Sequence, residues 1–192
     1  MMKPIVVICG PDMTGKTQIA HALAKKLGVP YYKSSDEHRT FLQDQNKFIN
    51  DLRYGDPARL DLLKQLDTGL VFDRGYPCEA VYAKYFGRQT DDVMLAWLDE
   101  QYAALNAHII LCRRTNEGFQ NIADDLDPNL AGDNLVRLSD MYEEFLGRSK
   151  CHCMRLYVDD ENIERELDDI FRWINDIRWG VKVGFFGNPG DQ

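Results

Sequence analysis

The run Pro4-Ile5-Val6-Val7-Ile8-Cys9 is apolar, β-branched and unbroken. A strand with one wet face would alternate, so this run predicts a strand buried on both faces, at the centre of a parallel sheet. From Lys16 the spacing changes. Ile19, Ala20, Leu23, Ala24 and Leu27 recur at intervals of three and four, which marks one face of a helix, and Gly28 stops it. Two further runs, Gly69 to Asp73 and His108 to Cys112, each follow a helical stretch and end in polar residues. Both read as parallel strands. Met154 to Val158 is a last strand candidate, followed by a helix over Ile163 to Ile177. The pattern makes Glu37 to Leu66 largely helical with a break at Gly55-Asp56-Pro57, and it predicts helices over Pro77 to Phe86 and Asp91 to Asn106. Strands separated by helices require right-handed crossovers, which gives one three-layer α/β/α domain over residues 1–179 with a central parallel sheet of about five strands.

Two stretches stand outside this rhythm. Residues 115–132 are polar, carry Glu117, Asp124, Asp125 and Asp127, contain no Lys or Arg, and read as a flap. Residues 180–192 are glycine-rich around Phe185-Phe186 and read as a C-terminal tail. At 192 residues and 44% hydrophobic, the chain suits a single core. The opening ten residues resemble neither a signal peptide nor a membrane span, so the expectation is a soluble cytoplasmic protein with no membrane partner. Five cysteines at irregular spacing suit a reducing compartment, and Cys151-His152-Cys153 is too closely spaced for a zinc ribbon, which leaves a strand edge as the preferred reading. The net charge of −8 gives no global attraction to nucleic acid, although a basic cleft on an acidic body leaves a DNA partner open. The pattern also admits a homodimer.

The chemistry begins where the first strand ends. Gly10-Pro11-Asp12-Met13-Thr14-Gly15-Lys16-Thr17 satisfies the G-x-x-x-x-G-K-[ST] spacing of a phosphate-binding P-loop completely, between a buried strand and a helix start. Glycines let successive backbone N–H groups face an anion, and the helix presents the positive end of its dipole to the same place. Lys16 is then the clamp on the terminal phosphates of ATP, and Thr17 a ligand of Mg²⁺. No N-K-x-D-like guanine signature is present, and the length leaves no room for the second module of most motor ATPases. A kinase with a P-loop NTPase fold is the expectation. Asp73-Arg74 ends the third strand, where open α/β sheets place their ligand crevice. The arginine fork suits a phosphate, and the aspartate suits Mg²⁺, partly through water, or a proton.

These residues resemble the thymidylate kinase family and its phage-encoded relatives. The likeness lies in Gly10-Pro11-Asp12, a P-loop with an acid at its third position, and in Asp73-Arg74 followed by a helix carrying Ala80-Val81-Tyr82; the order of motifs covers most of residues 4–177. The resemblance implies that Asp12 contacts the acceptor's sugar and that Arg74 holds its phosphate. It makes Lys16, Asp73, Arg74 and Asp12 the catalytic set. Tyr31, Tyr32, Tyr76 and Tyr82 are candidates to stack on the acceptor base, with Arg39 a further acceptor-side candidate. Thymidylate kinases carry a catalytic arginine beside the P-loop acid or in the lid. Here Met13 occupies the first place and the flap has no basic residue, which leaves Arg113 and Arg114 as the nearby ATP-side cations. The family reading gives a free thymidine-like deoxynucleotide, dTMP or a related monophosphate, as acceptor. A related phage group instead phosphorylates the hydroxymethyl of 5-hydroxymethyluracil in DNA, for which Asp12, Asp36 and Asp73 are candidate bases; a phage-encoded enzyme would work in the host cytoplasm. A non-enzymatic NTP-dependent interaction module is the third alternative.

Overall fold

A computed structural model of the chain describes residues 3–34, 45–66, 68–120, 132–159 and 162–178. The continuous apolar run forms β1 (Ile5–Cys9), buried at every position. Beyond the phosphate loop come α1 (Lys16–Leu27) and β2 (Tyr31–Lys33), then α2 (Gln45–Asn50), a π-helical turn (Asp51–Gly55) and α3 (Asp56–Leu66). The chain continues through β3 (Leu70–Asp73), α4 (Tyr76–Tyr85), α5 (Asp92–Ala104), β4 (His108–Arg113), α6 (Asn116–Gln120), α7 (Asp133–Leu146), β5 (His152–Tyr157) and α8 (Ile163–Arg178). The strands pair in parallel in the order β2-β3-β1-β4-β5.

The absence of alternation in β1 is explained by the two cores. Ile5, Val7 and Cys9 face a layer that includes Leu60 of α3, Val81 of α4, Leu98 of α5 and Leu138 of α7. Val6 and Ile8 face α1 and α8 through Ile19, Leu23, Ile170 and Trp173. Burying each large aliphatic chain is worth about 1.5–3 kcal/mol, so both faces select apolar residues. The order of the strands also fixes the crevice. From β1 the chain moves first to the β3 side and later to the β4 side, so the C-terminal end of β1 is the switch point at which such sheets bind ligands.

Three local features were not legible in the pattern. The three-residue β2 has no apolar run of its own and exists through its parallel pairing with β3, Tyr31 opposite Val71 and Lys33 opposite Asp73. The break expected at Gly55-Asp56-Pro57 is not a break. A π-helical turn carries the helix through, with the Asp56 N–H bonding back to the Asp51 carbonyl, and Pro57 falls in the first turn of α3, where a missing N–H is tolerated. Arg59 secures the turn by donating to both oxygens of Asp51 and to Asp56. Finally, α4 begins one residue earlier than expected, at a Tyr76 that is buried. Of the expected flap, only its flanks in α6 and at Gly132 are described; residues 121–131 and the expected tail lie outside the described residues. The Cys151 to Cys153 segment leads into β5, which is an edge strand, and the five thiols are free. No helix among the described residues is long and apolar enough to cross a membrane.

Asp99 of α5 ties the two ends of this architecture. It is buried and accepts from the Tyr76 hydroxyl at 2.7 Å, the Ser149 hydroxyl at 2.6 Å and the Lys150 backbone N–H at 2.7 Å. Replacing it with alanine leaves these donors without a partner, at a cost of roughly 3 kcal/mol. Urea unfolding of Asp99→Ala should show a loss of that size, and a loss below about 1 kcal/mol would mean that water reaches these donors.

Candidate active site

The phosphate loop owes its shape to backbone that only certain residues accept. Gly10 has φ 136°, and a Cβ there would lie 2.1 Å from the Cys112 carbonyl oxygen, so the close approach of the loop to β4 requires glycine. Gly15 sits at φ 65° just before α1, and Met13 adopts φ 62° although it has a side chain. Non-glycine residues pay strain in that region, and such strain concentrates at ligand sites. The Pro11 carbonyl accepts from the Thr14 hydroxyl at 2.9 Å and from the Lys16 ammonium, while the Met13 carbonyl accepts from Arg114 Nε at 3.1 Å.

The cleft over this loop has a volume of about 500 Å³ and is lined from Asp12 to Ile19, by Arg74 from the end of β3, by Arg114, and by Val158, Ile163 and Glu166. It therefore gathers Lys16, Arg74 and Arg114 in one place on an acidic protein. Lys16 is buried, and burial together with the nearby Arg74 guanidinium pulls its ammonium down to about 8, against the opposing pull of Asp12. Asp12 is the counter-ion of the group. Its Oδ1 pairs with Arg74 and lies 3.9 Å from Lys16 Nζ, and its Oδ2 accepts from the Tyr82 hydroxyl at 2.7 Å. Burial pushes the Asp12 carboxyl up, but Lys16, Arg74 and the Tyr82 hydroxyl together hold it below the usual range. Arg74 itself has φ 71°, is raised above its ordinary value chiefly because Asp12 outweighs burial, and lies over the Tyr82 ring at 5.5 Å.

On the other side of the loop, the Thr17 hydroxyl donates to Asp73 Oδ2 at 2.7 Å, and the Tyr31 hydroxyl donates to the same oxygen at 2.9 Å. Asp73 is fully buried, and its Oδ1 has no hydrogen-bond partner among the described residues. A hard oxygen pair of this kind, with one carboxylate oxygen lacking a donor, fits Mg²⁺ and its bound waters. Thr17 and Asp73 are the residues that would hold the ion.

Several residues expected from sequence fall elsewhere. Tyr76 is core rather than platform: its ring stacks on Tyr102 at 4.9 Å and is 1% exposed. Arg113 is turned out of the cleft. Its guanidinium is neutralised by Glu143 of α7 at 2.8 Å and covers the Tyr157 ring, whereas Arg114, the next residue, lines the cleft. Tyr32 packs edge-on against Phe72 and accepts from Arg59 at 3.2 Å. Arg39 and Asp36 lie outside the described residues. Sequence reasoning missed Gln18, which follows the loop motif in α1, and Val158, Ile163 and Glu166, because the β5–α8 region carries no motif. It also missed a second hollow beside Gly75, lined by Ser34, Phe48, Asp51, Asp56, Arg59 and Glu79. There Glu79 grips Arg88 with both oxygens at 3.0 Å, and Arg88 lies 4.5 Å over the Phe48 ring. These partners are 9 to 40 residues apart, too far for a local pattern to reveal.

A five-stranded parallel sheet between helical layers, with a phosphate loop at the end of its central strand, defines a P-loop nucleotide-binding α/β protein. The chain belongs to the AAA domain family, whose model matches residues 5–161. Solved structures share the architecture. The YorR protein from Bacillus subtilis, in complex with phosphorylated GDP, is 16% identical with a TM-score of 0.64, over 91% of this chain and 97% of that one. Thymidylate kinase from Ehrlichia chaffeensis is 13% identical with a TM-score of 0.58, over 89% and 98%. Deoxyadenosine kinase from M. mycoides, with the products dCMP and dCDP bound, is 20% identical with a TM-score of 0.53, over 90% and 98%. At these identities the likeness is one of fold. None of the curated proteins matches the chain by sequence.

The lowered Lys16 gives a pH prediction. A phosphate needs the ammonium protonated, and the free protein loses that proton near pH 8 rather than 10.5. Nucleotide affinity should be level below pH 7.5 or so and then weaken by up to about tenfold per pH unit as pH rises through 8. Isothermal titration from pH 6 to 9.5 measures it, and Lys16→Met should abolish the slope; an unchanged slope in that variant assigns the titration to another group.

Proposed function

We propose that the chain is a P-loop kinase that transfers the terminal phosphoryl group of a nucleoside triphosphate, ATP by the sequence reading, to a deoxynucleoside monophosphate of the thymidylate type. The observation that carries this reading is the meeting of Lys16 and Arg74 across Asp12 in one cleft. Lys16 and Arg74 bring two cations to the single carboxylate of Asp12, so the group keeps an excess positive charge, which a donor triphosphate beside an acceptor phosphate would balance. Phosphoryl transfer of this kind requires positioning and charge neutralisation rather than covalent help from the protein. Lys16 and the loop N–H groups hold the donor, and Arg74 holds the acceptor. The Thr17–Asp73 pair holds Mg²⁺, which when bound neutralises charge on the donor phosphates.

The same geometry weighs against the hydroxymethyl of a DNA base as acceptor. An alcohol must lose a proton to a carboxylate. Both oxygens of Asp12 are already engaged and its carboxyl is held low, which disfavours it as that base. Asp73 keeps Oδ1 without a hydrogen-bond partner among the described residues but belongs to the metal side in this proposal, and Asp36 lies outside the described residues. Among the described residues, Lys16, Arg74 and Arg114 converge inside this cleft, which suits a compact anionic ligand.

Lys16→Ala should leave the protein folded and lower phosphoryl transfer about a thousandfold, measured with labelled ATP and a panel of deoxynucleoside monophosphates. Near-normal turnover would exclude this loop as the donor site. Arg74→Ala should raise the acceptor KM and cost about 2–4 kcal/mol in kcat/KM, the scale of truncating one partner of a buried charged pair. Acceptor KM should change little between low and moderate salt. A steep salt dependence, with activity on hydroxymethyl-containing DNA and none on any free monophosphate, would replace this reading with the DNA one.

A further inference from the structure

We infer that Tyr31 is a positioning residue for the metal-side carboxylate of the donor site, not a platform for the acceptor base. The inference rests on the proposed donor site and names a device inside it. Alternation along β2 sends its two tyrosines to opposite faces of the sheet. Tyr32 joins the layer of α3, α4, α5 and α7, whereas Tyr31 packs against the α1 side, edge-on to His21 at 5.5 Å. From that side its hydroxyl reaches Asp73 Oδ2 at 2.9 Å, on the oxygen that also accepts from Thr17 at 2.7 Å. The Tyr31 ring is thus held against His21 on the α1 side and its hydroxyl is spent on Asp73.

The consequence lies in the rotation of the carboxylate. An aspartate held by a single hydrogen bond swings about its last torsion, which is broad and roughly two-fold. Two donors on one oxygen, one from α1 and one from β2, fix the plane and dedicate Oδ1 to a different task. Oδ1 is buried and has no partner among the described residues, a costly state for a carboxylate unless a cation or its water supplies one. Thr17 would share its hydroxyl between Asp73 and a cation, whereas the Tyr31 hydroxyl has no such second task in the proposed site and would keep the carboxylate oriented as the metal binds. Outer-sphere partners of this type are typically worth about 10–100-fold in metal affinity.

The test is Tyr31→Phe, which removes one oxygen and keeps the ring beside His21. Binding of a nonhydrolysable ATP analogue is measured first in EDTA and then across a Mg²⁺ titration, with turnover followed over the same titration. The expected result is affinity in EDTA within about twofold of wild type, a half-maximal Mg²⁺ concentration raised about tenfold, and kcat restored by excess Mg²⁺. A merely structural role would weaken binding equally with and without Mg²⁺ and would not be rescued by metal, and that result overturns the inference. So does an unchanged Mg²⁺ dependence. If the analogue fails to bind wild type at all, the donor-site reading falls and this inference with it, an outcome distinct from a failure at Tyr31 alone.

Discussion

Asp12 is the constraint on which the rest of the site depends. Lys16 and Arg74 approach each other within a cleft on an acidic protein, and the Asp12 carboxylate between them offsets their mutual repulsion and supports the charge on Lys16. Burial works against all three ionised forms, yet the mutual attraction of the triad keeps Asp12 ionised and Arg74 protonated and leaves Lys16 only partly depressed. Tyr82 completes the arrangement by taking the second Asp12 oxygen. The cleft is thus set up for anions by charges already in place, which is the form of electrostatic catalysis that requires least rearrangement.

The sheet determines where that charge can collect. β1 lies at the switch point, so the loop that follows it, the end of β3 and the end of β4 all open on one crevice. Gly10 allows the loop to lie against the Cys112 carbonyl, and Arg74 leaves β3 in a left-handed conformation with its N–H on the Ile8 carbonyl. Both are local costs that tertiary contacts sustain. They bring a cation from one strand end to a carboxylate from the next.

Two networks meet at β3. Asp73 belongs to the metal side through Thr17 and Tyr31, and its neighbour Arg74 belongs to the acceptor side through Asp12. A shift of this strand end would move both at once. That coupling gives a two-residue motif two tasks: Arg74 lines the cleft beside Asp12, Asp73 is buried behind it against Thr17 and Tyr31, and the backbone stays anchored to β1.

The sequence by itself determined the layers and the donor loop. Buried parallel strands need unbroken apolar runs, and a P-loop needs its glycines, lysine and threonine at fixed spacing, so β1, β3, β4, α1 and residues 10–17 were legible before any coordinates. The Asp73-Arg74 pair was legible for the same reason, as polar residues at a strand end. Only the tertiary structure decided which neighbours face the cleft. It separated Arg114 from Arg113, because consecutive residues at a strand end point opposite ways and Glu143 waits on one side. It sent Tyr76 into the core, bonded Tyr82 to Asp12 and Tyr31 to Asp73, and carried the helix through Gly55 to Pro57 by a π turn that Arg59 pins. Each of these outcomes depends on a partner many residues away, and local periodicity holds no record of such distances.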